Sequence, residues 1–261
     1  MSWDTLTLTT DARGVATLTL ARRDKHNAMS ARMIEDLTLA AAALAADEAV
    51  RVVVLTGAGE SFCAGGDLGW MQAQMAADSA TRAAEAGKLA AMLGALNALP
   101  KPLIGRIQGP AYGGGMGLIS VCDVAVGVQG ARFGFTEARL GLIPATIGPY
   151  VLARMGEAMA RRVFMSARLF PADEAVALGL LARAVAPDEL DAAIAAEVTP
   201  YLACAPGAVA ASKALALRLG SAITPEQIDH SIAQLVARWE SAEAAEGIAA
   251  FFGRRKAAWM P

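Results

Sequence analysis

The chain is poor in the residues that metal and nucleophilic chemistry most often use. Among 261 residues there are two histidines, His26 and His230, far apart in sequence. Neither they nor any His/Cys/Asp cluster has metal-ligand spacing, so no metal is expected. The three cysteines, Cys63, Cys122 and Cys204, are an odd and widely spaced set. That excludes a disulfide framework and predicts a reduced, cytoplasmic protein. Aromatic residues make up 5% of the chain against 55% hydrophobic residues, so the apolar mass is aliphatic. Charged residues are 18% and the formal net charge is −2, which leaves no basic field to attract nucleic acid. The apolar stretch between Arg106 and Asp123 is broken by Pro110 and several glycines, so no membrane span is expected. The polar, acidic start gives no expectation of a secretory leader. There is no G-x-S-x-G elbow and no phosphate-binding G-x-x-x-x-G-K-[ST] loop. The glycine loop at 57–66 follows a strand, but Phe62 holds the sixth position of a dinucleotide fingerprint and no acid follows a second strand. No nicotinamide is therefore expected.

What the chain has is glycine in two chosen places. Around them the pattern predicts a mixed α/β core to about residue 195 and an all-helical part at 196–261. Thr5–Thr9 and Val15–Leu20 alternate about a turn and predict a hairpin. Ser30 is an N-cap candidate for a helix to Ala46, with Met33, Leu37, Ala40 and Leu44 on one stripe. Strands are expected at 50–56, 102–108, 124–128 and 131–135. Helices are expected at 68–75, 83–99, 116–122, 150–156, 157–166 and 171–178, with an irregular loop at 141–150. Beyond Val185 only helices are expected, at 187–203, 206–219 and 225–250. The strand–glycine–helix unit occurs twice, which makes a repeating ββα plan plausible.

Gly57–Gly66 and Gly113-Gly114-Gly115 each lie between a buried strand and a helix. A glycine run is a poor helix start, costing roughly 1 kcal/mol per residue against alanine. It offers bare backbone N–H groups that a ligand can approach. Two such N–H groups converging on one oxygen make an oxyanion hole. The same glycines also suit two tight packing turns. Glu137, in Phe135-Thr136-Glu137-Ala138-Arg139, is the acid/base candidate, because apolar neighbours desolvate a carboxylate and raise its pKa. An ion pair with Arg139 is the alternative. Cys63 has no histidine partner and reads as a buried structural thiol. Asp67 reads as a helix N-cap and Asp123 as a structural cap or ion-pair partner. Trp70, Met71 and Met75 read as core or as the wall of an acyl pocket.

Taken together, Phe62-Cys63-Ala64-Gly65-Gly66-Asp67-Leu68, Gly109-Pro110-Ala111-Tyr112-Gly113-Gly114-Gly115 and Glu137-Ala138-Arg139-Leu140-Gly141 resemble the enoyl-CoA hydratase/isomerase (crotonase) superfamily. Arg23-Asp24-Lys25-His26-Asn27-Ala28 is similar to its N-terminal loop, and Phe251-Phe252-Gly253-Arg254-Arg255-Lys256 to its C-terminal helix end. The resemblance spans nearly the whole chain. It implies a crotonase-like ββα spiral core (1–195), a helical C-terminal trimerisation region (196–261), and a homotrimer or dimer of trimers. It implies an acyl-CoA substrate with no further cofactor, and a thioester enolate stabilised by the N–H groups of Gly66 and Gly114. By motif position, Glu137 exchanges the α-proton. Backbone near Lys25, Ala28 and Ala64 would hold CoA, alongside Gly66, Asp67 and Leu68, and Arg254 would reach its phosphates. One departure stands out. Two-carboxylate hydratases carry a glutamate three residues after the middle glycine, and here that position is Gly117. Hydration of a 2-enoyl-CoA with Glu137 alone, Δ3–Δ2 isomerisation, and a non-catalytic CoA-binding role all follow. Asp67-Leu68-Gly69-Trp70-Met71-Gln72 and Arg139–Ala145 resemble bacterial methylglutaconyl-CoA hydratases of leucine breakdown. That substrate's distal carboxylate would want a cation, with Arg139 and Arg154 nearby in sequence.

Overall fold

The computed structural model describes residues 3–261. Strands β1 (Leu6–Thr10) and β2 (Val15–Leu20) form the expected antiparallel hairpin, with Leu6 opposite Leu20. Helix α1 (Ala31–Ala46) is capped by Ser30, whose side chain accepts from the Met33 N–H at 3.3 Å. Its stripe of Met33, Leu37, Ala40 and Leu44 is buried. Strand β3 (Val52–Gly57) is buried along its whole length because it lies between two parallel neighbours, which is why it reads as a β-branched run. Then come α2 (Leu68–Ala76), α3 (Ser79–Asn97), β4 (Leu103–Ile107), β5 (Ala111–Tyr112), α4 (Gly114–Ser120), β6 (Val124–Val128) and β7 (Arg132–Gly134). The second half holds α5 (Gly148–Met155), α6 (Glu157–Phe164), β8 (Phe170–Pro171), α7 (Ala172–Ala177), β9 (Arg183–Val185), α8 (Leu190–Leu202), α9 (Pro206–Leu219), α10 (Pro225–Trp239) and α11 (Ala242–Phe252).

Two sheets result. The larger runs β1-β2-β3-β4-β6-β9, parallel beyond the first hairpin, and the smaller runs β5-β7-β8. Strands β4 and β6 each feed a short partner, β5 or β7, in the smaller sheet before a helix follows. This is the repeating ββα plan. It brings the two glycine loops together, since both emerge beside β5.

Several boundaries differ from the sequence reading. The stretch expected as one helix over 225–250 is two, because Ser241 caps a new helix by accepting from the Ala244 N–H at 3.1 Å. Helix α3 begins at Ser79 rather than Ala83, since the Asp78 carboxylate takes the Thr81 N–H at 2.8 Å. Helix α4 starts at Gly114, inside the glycine run, rather than at Met116. Strands β8 and β9 are too short to show a period and were not expected. Among the described residues no single helix is long and apolar enough to cross a membrane; α8 and α9 meet at 104°. Helix α8 packs on β3, β4 and β6, whereas α9 buries none of its residues.

Candidate active site

The first glycine loop is stitched to its surroundings on one side only. The Met29 N–H donates to the Gly65 carbonyl at 2.7 Å and the Asp67 N–H to the Met29 carbonyl at 2.9 Å. In a parallel bridge this uses the residues flanking Gly66, so the peptide groups of Gly66 itself face the other way. The second loop is tied to the first. The Tyr112 N–H donates to the Cys63 carbonyl at 3.0 Å, and Gly113 donates to the Gly134 carbonyl at 3.0 Å. The N–H groups of Gly66 and Gly114 have no protein acceptor among the described residues.

Packing explains the glycines. Gly65 has φ +93° and Gly113 φ +48°, both left-handed. A Cβ on Gly113 would lie 3.8 Å from the Gly65 Cα and 3.2 Å from Glu137 Oε1. The two loops and the carboxylate therefore meet at Gly113. A side chain on Gly114 would strike the Met29 methyl, and one on Gly115 would come within 2.6 Å of the Cys63 carbonyl.

These residues open onto a cavity of about 620 Å³. Ala64, Gly65, Gly66, Leu68, Gly113, Gly114 and Glu137 line it. Its walls are mainly apolar, with Met29, Trp70, Met71, Leu142 and Trp239 prominent. Met75 is not part of the wall and is 38% exposed. The C-terminal helices close the far side. A Cβ on Gly247 of α11 would sit 2.5 Å from the Leu140 carbonyl carbon, and the Arg238 guanidinium of α10 donates to the Gly141 carbonyl at 2.7 and 2.9 Å. Both helices thus brace the 3-10 turn Glu137–Leu140 that presents the carboxylate.

Glu137 makes no ion pair with Arg139. Its Oε2 is shielded from solvent and has no hydrogen-bond partner among the described residues. Burial pushes the carboxyl up from 4.5 to about 7, opposed only by its own backbone N–H. Arg139 lines the cavity, as does Arg255, but Arg255 is held by Glu246 at 2.6 Å. Arg154 points elsewhere, donating to the carbonyls of Gly179 and Cys122.

The other sequence candidates sit outside the cavity lining. Asp67 caps α2 through the N–H groups of Gly69 and Trp70 and pairs with Arg22 at 2.9 Å. Lys25 lies in the 3-10 turn Arg23–Lys25, and its carbonyl accepts from the Ala28 N–H at 2.9 Å. Arg254 follows α11 with a left-handed φ of 50°. Asn27, buried, ties this N-terminal loop to the first glycine loop by donating to the Ala58 and Ser61 carbonyls. Cys63 is fully buried and its thiol is pushed up to about 12, so it is no nucleophile at neutral pH. Asp123 is structural, accepting from the Leu103 N–H and pairing with Lys213 at 2.8 Å. Among the described residues no group of His, Cys, Asp and Glu could hold a metal ion. Sequence reading passed over Met29, Thr146 and Trp239, which reach the cavity from three distant segments and carry no local motif.

Apolar walls, two outward backbone donors and one desolvated carboxylate make a site that can stabilise a developing oxyanion beside a proton carrier. The comparisons agree with that class. The family model for enoyl-CoA hydratase/isomerase matches residues 10–261, and the chain belongs to that family. An enoyl-CoA hydratase from Mycobacterium avium has the same fold, with a TM-score of 0.86, 31% identity and 100% of both chains covered. One from Shewanella pealeana aligns with a TM-score of 0.81 and 35% identity over 99% of this chain and 97% of that one. The architecture is the crotonase fold. An enoyl-CoA hydratase of Alternaria alternata is 37% identical over 176 residues, 67% of this chain, and the chain spans 57% of that relative's length.

Proposed function

We propose that the protein hydrates a 2-enoyl-CoA thioester. The observation that carries this reading is the meeting of Glu137, Gly66 and Gly114 on one apolar cavity. The thioester oxygen sits between the two glycine N–H groups. Glu137 as carboxylate takes a proton from water while the water oxygen bonds C3. The π electrons move through C2 onto the thioester oxygen. The neutral Glu137 then returns the proton to C2 as the enolate collapses. A group ionising near 7 can serve both halves at neutral pH.

Backbone near Lys25, Ala28 and Ala64 would hold the CoA moiety, a reading supported by the hydrogen bonds from Ala64 N–H to the His26 carbonyl and from Met29 N–H to the Gly65 carbonyl that join this loop to Gly66, and Arg254 would reach the phosphates. An acyl group ending in a carboxylate, as in methylglutaconyl-CoA, is the favoured substrate. Its support is Arg139, a cavity-lining cation with no carboxylate partner among the described residues. A second reading, Δ3–Δ2 isomerisation, is favoured by Gly117, since that reaction needs only one carboxylate. Assembly as a trimer or dimer of trimers is supported by α9, whose Leu215, Leu217 and Leu219 are 59%, 41% and 76% exposed. Three free cysteines, two of them buried, suit a reducing cytoplasm.

The test is to offer 2-enoyl-CoA and 3-enoyl-CoA thioesters in parallel. Hydration removes the conjugated enoyl absorbance of the first. Formation of that absorbance from the second alone supports the isomerase, and binding without either change supports a non-catalytic role.

A further inference from the structure

Among the described residues only four buried side-chain polar atoms lack a hydrogen-bond partner, and two of them belong to residues lining the cavity. One is Glu137 Oε2. The other is Thr146 Oγ1, on a residue only 5% exposed. Nothing in the activity derived above uses Thr146. Buried hydroxyls are nearly always satisfied, so an orphan on a cavity wall marks a place that a ligand or a reacting water completes.

Its position follows from Gly117. That glycine stands one helical turn beyond Gly114 on α4. A Cβ there would lie 2.5 Å from Ile147 Cγ2 and 3.0 Å from Ile147 Cβ. The space a side chain at 117 would enter is therefore filled by Ile147. The neighbouring residue, Thr146, also lines the cavity and carries the unpaired hydroxyl. Its loop is fixed in place. The Gly148 N–H donates to the Ala145 carbonyl at 2.7 Å, the Ala145 N–H to the Ile143 carbonyl at 2.8 Å, and the Ser231 hydroxyl to the Ala145 carbonyl.

We propose that Thr146 is a water-positioning residue, its hydroxyl holding the reacting water against Glu137 where Gly117 supplies no side chain. The inference rests on the hydratase reading. Thr146 moves no proton: it donates a hydrogen bond to the water oxygen, one water proton passes to Glu137, and the remaining hydroxyl bonds C3. The water comes from solvent and no other reactant is needed.

The experiment compares wild type, Thr146→Val and Thr146→Ser in two reactions. One is hydration of a 2-enoyl-CoA. The other is exchange of the C2 hydrogen of a saturated acyl-CoA with deuterium from D2O, which needs Glu137 and the oxyanion donors but no water at C3. Valine keeps the branched shape and removes an unsatisfied hydroxyl, so thermal stability should not fall. The expected result is a hydration kcat about 10-fold lower in Thr146→Val, the size of one lost neutral hydrogen bond. KM and the exchange rate should stay within about 2-fold, and Thr146→Ser should recover most of kcat. Hydration at the wild-type rate in Thr146→Val overturns the proposal. So does a parallel loss of hydration and exchange, which would mark a purely structural role. If wild-type protein exchanges C2–H but hydrates no 2-enoyl-CoA, the hydratase reading itself fails and takes this proposal with it.

Discussion

Replacing Glu137 by Gln should make the protein more stable and nearly inactive, and the gain should depend on pH in a calculable way. Glu137 ionises near 7 in the folded chain against 4.5 when unfolded, because its carboxylate is desolvated with no cation beside it. The sign follows directly. Below about pH 4.5 the group is neutral in both states and costs nothing extra. Between 4.5 and 7 the unfolded chain releases the proton and the folded chain keeps it, so folding stability falls as pH rises. Above 7 both states are ionised and the loss is constant. At about 1.4 kcal/mol per tenfold, the full penalty is about 3 kcal/mol, and under about 1 kcal/mol of it is present at pH 5.

Glutamine is close in shape and carries no charge, so it should remove the penalty. Denaturant unfolding of both proteins at pH 5 and pH 8.5 measures it. The stability advantage of Glu137→Gln should grow from under about 1 to about 3 kcal/mol over that range. A difference that does not change with pH, or a wild type that is the more stable at pH 8.5, would refute the desolvation argument. In the same samples kcat should fall by orders of magnitude. Stability and activity would then move in opposite directions, as expected where function requires a badly solvated charge.

Two further substitutions probe the glycines. Gly113→Ala should cost about 1–2 kcal/mol in unfolding and lower turnover, because φ is +48° and its Cβ would lie 3.2 Å from Glu137 Oε1; Gly66→Ala, whose Cβ meets only ordinary contacts at 3.6–3.8 Å, should fold like wild type, and equal costs in a denaturation series would contradict this. Gly117→Ala should cost about 1–3 kcal/mol by overpacking against Ile147 Cγ2, and it should cost less in an Ile147→Ala background, which lacks that atom; strict additivity in the cycle would show that the two do not share the space.

The larger features were legible because they rest on local signals. The β1–β2 hairpin, the Ser30-capped α1 and the apolar run of β3 each carry their own period or cap. The break between α10 and α11 was missed because Ser241 sits inside an alanine-rich stretch that favours helix throughout. The Ser241 side-chain cap sets where α11 starts, as the Asp78 cap does for α3. At the site the glycine loops and Glu137 were legible as residue types with a chemistry. Their neighbours were not. Met29 against Gly114, Ile147 against Gly117 and α11 against the Glu137 turn are contacts between segments far apart in sequence, and no periodicity encodes them. Arg139 and Arg154 looked alike as candidate cations. Only the fold separates them, by spending Arg154 on two carbonyls.

The identity of residue 117 bears on why Glu137 is perturbed. In a site with two carboxylates, mutual repulsion raises one pKa, and the pair titrates as a unit. Here Gly117 contributes no charge and Ile147 fills the space. Desolvation is left as the cause of the shift, and Glu137 should titrate as a single group. The rate of any reaction that begins with proton abstraction should then rise along one limb through about pH 7. Ile147, which fills that space, lines the same cavity as Glu137. Substituting Ile147 by a smaller residue would widen the cavity that Glu137 faces and admit solvent, which should lower the Glu137 pKa. Movement of the kinetic limb to lower pH in Ile147→Ala, measured as kcat/KM against pH, is the expected sign. An unmoved limb would mean that the shift arises from the α11 side of the cavity instead.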